Sequence, residues 1–229
     1  PRTRQAPQGE TQRIVKKLAA VETLGCTTVI CSDKTGTLTL NQMTARTLYC
    51  NGRRHAVSGE GYGGEGSIEE PGDLRGDIRH VLLPAALCID ARIRDGELIG
   101  DPTEGALLAL AAKAGLDVGE ALEHLPRIAE IPFDSATKFM ATFHHEGDQV
   151  RLCVKGAPDV LLGLSSHHLA DDAALPLDEE TRARFAAENE ALADQALRVL
   201  ALAGRVIPAE DFDPGGDLVP WVRELTLHA

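Results

Sequence analysis

The first place in this sequence where chemistry could happen is a carboxylate set just beyond an apolar run. Thr27-Thr28-Val29-Ile30-Cys31 is β-branched and apolar, reads as a buried parallel strand, and leads to Asp33 in the loop Asp33-Lys34-Thr35-Gly36-Thr37-Leu38-Thr39. Open α/β sheets place their chemistry beyond the carboxyl ends of such strands. A carboxylate there can attack a phosphorus atom when a cation and amide and hydroxyl donors screen its charge from that of the phosphate. Lys34, Thr35 and the flexible Gly36 suit that task. On the residues alone a plainer reading stays open, in which Asp33 and Thr35 satisfy loop amides in a turn.

Three further stretches join a charged or aromatic residue to local order. Gly100-Asp101-Pro102-Thr103-Glu104-Gly105 opens the aliphatic run Ala106-Leu107-Leu108-Ala109-Leu110. Asp101 reads as a helix N-cap, Pro102 as the first helical residue and Glu104 as the partner that completes a capping box, with the helix ending near Gly115. The segment Ile131-Pro132-Phe133-Asp134-Ser135-Ala136-Thr137-Lys138-Phe139-Met140 leads into two expected strands, Phe139 to His144 and Gln149 to Lys155, joined by a turn at Glu146-Gly147-Asp148. Phe133 and Phe139 read first as core residues. In Val154-Lys155-Gly156-Ala157-Pro158-Asp159 a strand ends on a lysine, Gly156 permits close approach, and Pro158 starts a helix through Leu164 whose first amides favour an anion. An exposed strand-end lysine beside an ordinary turn fits the same residues.

The elements that must position these groups follow from periodicity. Met43 to Cys50 alternates as a strand, Asn51-Gly52 is a hairpin turn, and His55-Ala56-Val57 begins the return. Leu74 to Asp90 is helical with Pro84 inside it, and a long helix from Asp178 to about Leu197 precedes the strand Val199 to Ala203. Arg198 stands at that junction, where a surface arginine at a helix end is the plain reading. Gly59 to Gly66 holds five glycines but no GK[ST] ending, and reads as a flexible loop. Thr11 to Leu24 reads as a short amphipathic helix after a loose tail, with Arg13, Lys16 and Lys17 on its polar face. His144-His145 and His167-His168 are expected on the surface, since adjacent residues point apart and no third metal ligand is spaced to join them.

Composition narrows the classes. With 43% apolar and 25% charged residues the 229-residue chain can bury a sizeable core, and 3% aromatics make that core aliphatic. A net charge of −12 argues against a nucleic-acid partner. The five cysteines include no CxxC pair and read as reduced core residues. No apolar run approaches the roughly 18 residues of a membrane span.

Asp33 to Thr39 resembles the phosphorylation signature of the P-type ATPases, and the flanks Ala20-Val21-Glu22-Thr23-Leu24-Gly25 and Asn41-Gln42-Met43-Thr44 resemble their calcium-pump-like branch. GDPTEGALL, PFDS…KFM, KGAP and LRVLALA follow in the family's order. The resemblance implies that Asp33 is phosphorylated by ATP with Lys34 beside it, and that Asp33 and Thr35 hold Mg²⁺. It implies that Glu104 faces the adenine amino group, that Phe133 stacks on the base, that Lys138, Lys155 and Gly156 line the nucleotide pocket, and that Arg198 reaches the phosphates. Ser135 stands where some calcium pumps carry an arginine, which removes one phosphate contact.

The implied fold is α+β: a mainly antiparallel sheet of six or seven strands flanked by helical hairpins, plus a first strand of an incomplete HAD-like phosphorylation domain. Residues 1–10 are then a loose tail, 11–44 a stalk end and partial phosphorylation domain, 45–217 the nucleotide-binding domain, and 218–229 a return segment. The expected partners are ATP and the rest of a pump, namely its phosphorylation, actuator and transmembrane domains. The chain is expected at the cytoplasmic face of a membrane, without a span of its own and without nucleic acid. The TGD and GDGxNDxP motifs are not found, so this chain alone is expected to bind ATP without phosphorylating Asp33 at a useful rate. Two other classes are open. A HAD-type phosphohydrolase would need an aspartate at Thr35 as its general acid, and a non-catalytic ATP-binding module is compatible with the composition.

Overall fold

Alternation along two paired strands sets the architecture. In β6 (Phe139–Glu146) and β7 (Gln149–Gly156), Phe139, Ala141 and Phe143 turn to one face with Val150, Leu152 and Val154, while Met140, Thr142 and His144 turn to the other with Cys153 and Lys155. The computed structural model describes residues 26–29, 31, 42–69, 77–94 and 96–229. The chain divides into two units, Pro1–Asn41 and Gln42–Ala229, and the second holds the fold described here.

Seven strands form the main sheet of this unit in the order β5 (Arg127–Ile131), β6, β7, β10 (Ala201–Pro208), β11 (Leu225–Leu227), β8 (Ser165–Ala170) and β9 (Ala173–Pro176). Every neighbouring pair is antiparallel except β11 with β8, so the sheet is mixed. Two hairpins stand beside it. In β1 (Thr47–Cys50) and β2 (Arg53–Ala56) the two connecting residues, Asn51 and Gly52, both have positive φ, as the tightest hairpin turn requires. The other hairpin joins β3 (Arg92–Arg94) to β4 (Glu97–Ile99).

Helices cover both faces. Helix α1 (Ile78–Leu87) contacts β7 and β10 and packs on α2 (Pro102–Lys113) and α3 (Val118–His124), so that Leu87 and Cys88 meet Met140 and Cys153. Helix α4 (Pro158–Leu164) contacts β7, β10 and β11 from the other side, with α5 (Glu179–Ala193) stacked on it. There Leu161 and Leu162 join the aliphatic face of the sheet, and Phe143 stacks on Phe212 at 4.9 Å between ring centroids. Residues Leu225–Leu227, expected in a return segment, form a strand inside this sheet between β10 and β8.

Several expectations are corrected. Thr27, Thr28, Val29 and Cys31, expected in a buried parallel strand, are exposed and lie in no strand, with Val29 73% accessible. A strand forms only where a neighbour takes up its backbone groups, and among the described residues no strand pairs with this run. Cys26 and Cys31 are exposed thiols, whereas Cys50, Cys88 and Cys153 are buried. His144 is fully buried, because β6 turns it under α1 and α3 rather than towards solvent. The last strand before the C-terminal loops starts at Ala201, not Val199. Asp33, Lys34 and Thr35, the tail and the Thr11–Leu24 helix lie outside the described residues.

His144 uses both ring nitrogens: Nδ1 donates to the Leu125 carbonyl at 2.8 Å and Nε2 accepts from Thr142 Oγ1 at 2.9 Å. Burial lowers its pKa to about 4; the Leu125 carbonyl opposes this, and the charges of Arg127 and Arg151 add to it. An unfolded histidine titrates near 6.5, so the stability held in the neutral ring is complete above about pH 6.5 and is lost as pH falls towards 4. The loss should amount to about 3 kcal/mol. Urea unfolding at intervals from pH 7 to 4 should show this slope in the wild type and a flatter one in His144→Gln; parallel curves would mean that another group sets it. On the opposite face, Phe143→Ala should cost about 3–5 kcal/mol in the same assay.

Candidate functional site

The carboxylate of Glu104 lies at the centre of the site. Asp101 caps α2 by accepting from the Thr103 and Glu104 amides at 2.7 and 3.4 Å, and Pro102 fills the first helical position. Partial burial raises the Asp101 pKa, but the Thr103 hydroxyl, these amides and the charge of Arg198 outweigh it and hold the carboxyl below its usual range. Glu104 itself does not complete a capping box. Its Oε2 accepts from the Asp90 and Ala91 amides at 3.1 and 2.7 Å, and its Oε1 accepts from Lys155 Nζ. The lysine of β7 offers an ionised donor and the turn after α1 two amides where the N-cap would offer one, so the tertiary bonds replace the local one.

Lys155 is correspondingly not a strand-end lysine in solvent. Its side chain is 9% exposed and that of Glu104 13%. Strand β7 places it between Met140 of β6 and Leu202 of β10, on the face that α1 covers. The next residue, Gly156, is a place of close approach. A Cβ there would lie 2.6 Å from the Lys138 carbonyl and 2.8 Å from both Phe139 Cβ and Leu161 Cδ1.

The turn ahead of β6 forms the rim. Asp134 Oδ1 accepts from the Ala136 amide at 2.7 Å, and the Asp134 carbonyl accepts from the Lys138 amide at 2.7 Å. Lys138 has φ 58°, a conformation strained for a residue with a side chain, and its carbonyl accepts from the Ala157 amide at 3.0 Å. That bond fixes the turn to the residues that follow Lys155. Phe133, at the head of the turn, is 63% exposed, so it is not a core residue, whereas Phe139 is buried. Lys138 Nζ stands 3.9 Å from Asp159 Oδ2, both side chains open to water, and such a pair contributes little to stability.

Arg198 is exposed and donates to Thr103 Oγ1 at 3.4 Å, one residue before Glu104. Both line a cavity of about 430 Å³ whose walls include Leu48, Leu107, Leu110, Leu162 and Leu192. Glu104, Phe133, Lys138 and Lys155 are not among the lining residues. The cavity is therefore an aliphatic space beside the polar cluster, joined to it through Thr103 and Arg198.

Sequence reasoning missed two components. The Asp90 and Ala91 amides are backbone groups without a side-chain signature, and Arg127, which holds their turn, belongs to a strand without alternating hydrophobicity. Among the described residues no group of three or more His, Cys, Asp or Glu is gathered to hold a metal.

Residues 77–225 match the family model described as P-type ATPase, cytoplasmic domain N. The chain is 43% identical over 206 residues to a calcium-transporting ATPase of Bacillus subtilis, covering 86% of this chain and 23% of that protein. It is 40% identical over 235 residues to the probable cation-transporting ATPase F of Mycobacterium tuberculosis, covering 96% and 25%. It is also 40% identical over 200 residues to the calcium-transporting ATPase type 2C member 1 of Bos taurus, covering 83% and 21%. The chain thus spans about a quarter of the length of these relatives or less. With ordered motifs, a mixed seven-stranded sheet and this match in agreement, the chain belongs to the P-type ATPase family, its residues 77–225 being the cytoplasmic domain N.

Proposed function

We propose that the cluster around Glu104 and Lys155 binds ATP, with the adenine against Phe133 and the polyphosphate directed towards Arg198. The observation that carries this reading is the buried Glu104–Lys155 pair at the end of the sheet where the turn between β5 and β6 carries an exposed phenylalanine. An ionised carboxylate has about four acceptor positions, and the Asp90 amide, the Ala91 amide and Lys155 fill three. One position remains for an N–H donor such as the adenine amino group. The ammonium of Lys155 has three donors and uses one on Glu104, which leaves donors for ring nitrogens. Phe133 supplies a flat apolar face for a base, and Arg198 a fixed positive charge for phosphate oxygens.

In the whole protein the γ-phosphoryl would pass to Asp33, with Thr35 beside it, and drive a cation across the membrane. The relatives' names make calcium the first ion to examine. Mg²⁺ would arrive with the phosphates and screen their charge, held by Asp33 and Thr35. No helix among the described residues is long and apolar enough to cross a membrane, and domain N would stand at the cytoplasmic face beside the phosphorylation, actuator and transmembrane domains.

Calorimetric titration with ATP should give a Kd around 10⁻⁴ to 10⁻³ M, roughly 4 to 5.5 kcal/mol. Phe133→Ala should remove about 1–3 kcal/mol of this, the usual worth of a base stacked on an aromatic ring. Because Phe133 is exposed, its unfolding free energy should stay within about 0.5 kcal/mol of wild type. Equal ATP affinity in wild type and Phe133→Ala would refute the stacking role. Lys155→Met should abolish measurable binding and also destabilise the fold by about 3–5 kcal/mol, since it leaves Glu104 charged and buried.

A further inference from the structure

Arg127 does not touch Glu104 or Lys155, yet its guanidinium holds the turn that forms one wall of the cluster. Helix α1 ends at Leu87, and the last carbonyls of a helix have no partners within it. Arg127 reaches from β5 and donates through Nη2 to the Leu87 carbonyl at 3.2 Å and to the Ile89 carbonyl. Through Nη1 it donates to Asp90 Oδ1 at 2.7 Å and to Glu130 Oε2 at 2.8 Å. The planar fork thus grips residues 87, 89 and 90 at once, with its positive charge at the helix C-terminus, where the helix dipole favours it. The amides of Asp90 itself and of the next residue, Ala91, are the ones that hold Glu104 Oε2.

We infer that Arg127 is a positioning residue for nucleotide recognition. It fixes the turn after α1 so that the Asp90 and Ala91 amides orient Glu104 between Lys155 and the base. This inference rests on the reading that Glu104 faces the adenine. The fork does the work: a lysine could pair with Asp90 but could not span two carbonyls and a carboxylate.

The test uses the full chain and four variants: Arg127→Met, Arg127→Lys, Glu104→Gln and Arg127→Met/Glu104→Gln. ATP affinity is measured by calorimetry, folding by urea unfolding, and the protection of the Asp90 and Ala91 amides by hydrogen exchange without nucleotide. Arg127→Met and Arg127→Lys should each weaken ATP roughly tenfold and expose both amides to exchange, and Arg127→Met should add nothing on the Glu104→Gln background. Additive losses in the double variant, or unchanged protection of the two amides in a folded Arg127 variant, would overturn the positioning role. Wild-type affinity in Arg127→Lys would overturn the requirement for a fork. Should Arg127→Met not fold, Arg127→Lys carries the same comparison. Absence of ATP binding in the wild type defeats the nucleotide reading and this inference with it, whereas failure of the positioning role alone appears as intact wild-type binding with unaffected amides.

Discussion

A charge on a central strand must find a partner before the sheet can be covered, and here that partner comes from a helix fifty-one residues earlier. Lys155 sits in the third strand of seven, with neighbours on both sides, and its side chain is only 9% exposed. Glu104 meets it, and much of the local sequence serves that meeting. Asp101 and Pro102 start α2 so that Glu104 faces inward from the first turn. Gly105 follows because a Cβ there would lie 2.6 Å from both Leu98 Cδ2 and Tyr62 Cε1, so the β4 strand and the Ser58–Ser67 loop pack directly onto the helix. The run GDPTEG thus places one carboxylate and clears the space around it.

The two faces of the sheet differ in chemistry. Val150, Leu152 and Val154 alternate with Arg151, Cys153 and Lys155 along a single strand, so the aliphatic face under α4 and the polar-bearing face under α1 and α2 come from the same eight residues. A sheet is suited to this because its side-chain period of two separates neighbours completely. Phe143, stacked on Phe212, stabilises the fold without approaching the site, while Thr142, one residue earlier, bonds His144 on the side where the site lies. Buried polar groups on that face are stabilised by partners: His144 uses both ring nitrogens, and both carboxylate oxygens of Glu104 accept.

Local signals were legible where the bonds they predict are local. Asn51-Gly52 gave its hairpin, Glu146-Gly147-Asp148 the turn between β6 and β7, Pro158 the start of α4, and Asp101 the cap of α2. The family motifs marked Glu104, Phe133, Lys138, Lys155, Gly156 and Arg198, and the described structure brings them to one end of the sheet by bonded contacts from Arg198 through Thr103, Glu104 and Lys155 to the Lys138 turn. What could not be read were bonds made across the chain. Glu104 at the third helical position has the spacing of a capping box, and no local pattern reports that two amides fourteen and thirteen residues away compete for it. His144-His145 looks like a surface pair until β5 and the Leu125 carbonyl are placed beside it. Strands β8 and β9, rich in Ser, His and Ala, carry no alternation at all; β8 owes its place to pairing with β11, and β9 to pairing with β8.

The buried pair is not explained by stability. Well-packed apolar residues of similar volume commonly replace a buried ion pair without loss, because the attraction between the charges scarcely exceeds what it costs to take them out of water. What apolar residues cannot provide is an acceptor and donors held in fixed directions at the foot of a site. Glu104 is bound on three sides and Lys155 is enclosed by the sheet, so neither has to be ordered when a ligand arrives, and the polar contacts they offer carry little entropic cost. Phe133 differs: it is exposed, and its position depends on a turn strained at Lys138 and tied to Ala157 by one bond. The proposed site would therefore join a rigid polar floor to an exposed aromatic rim. In that reading a base would be selected through the floor and held through the rim, and the two properties could be altered separately because different elements of the fold carry them.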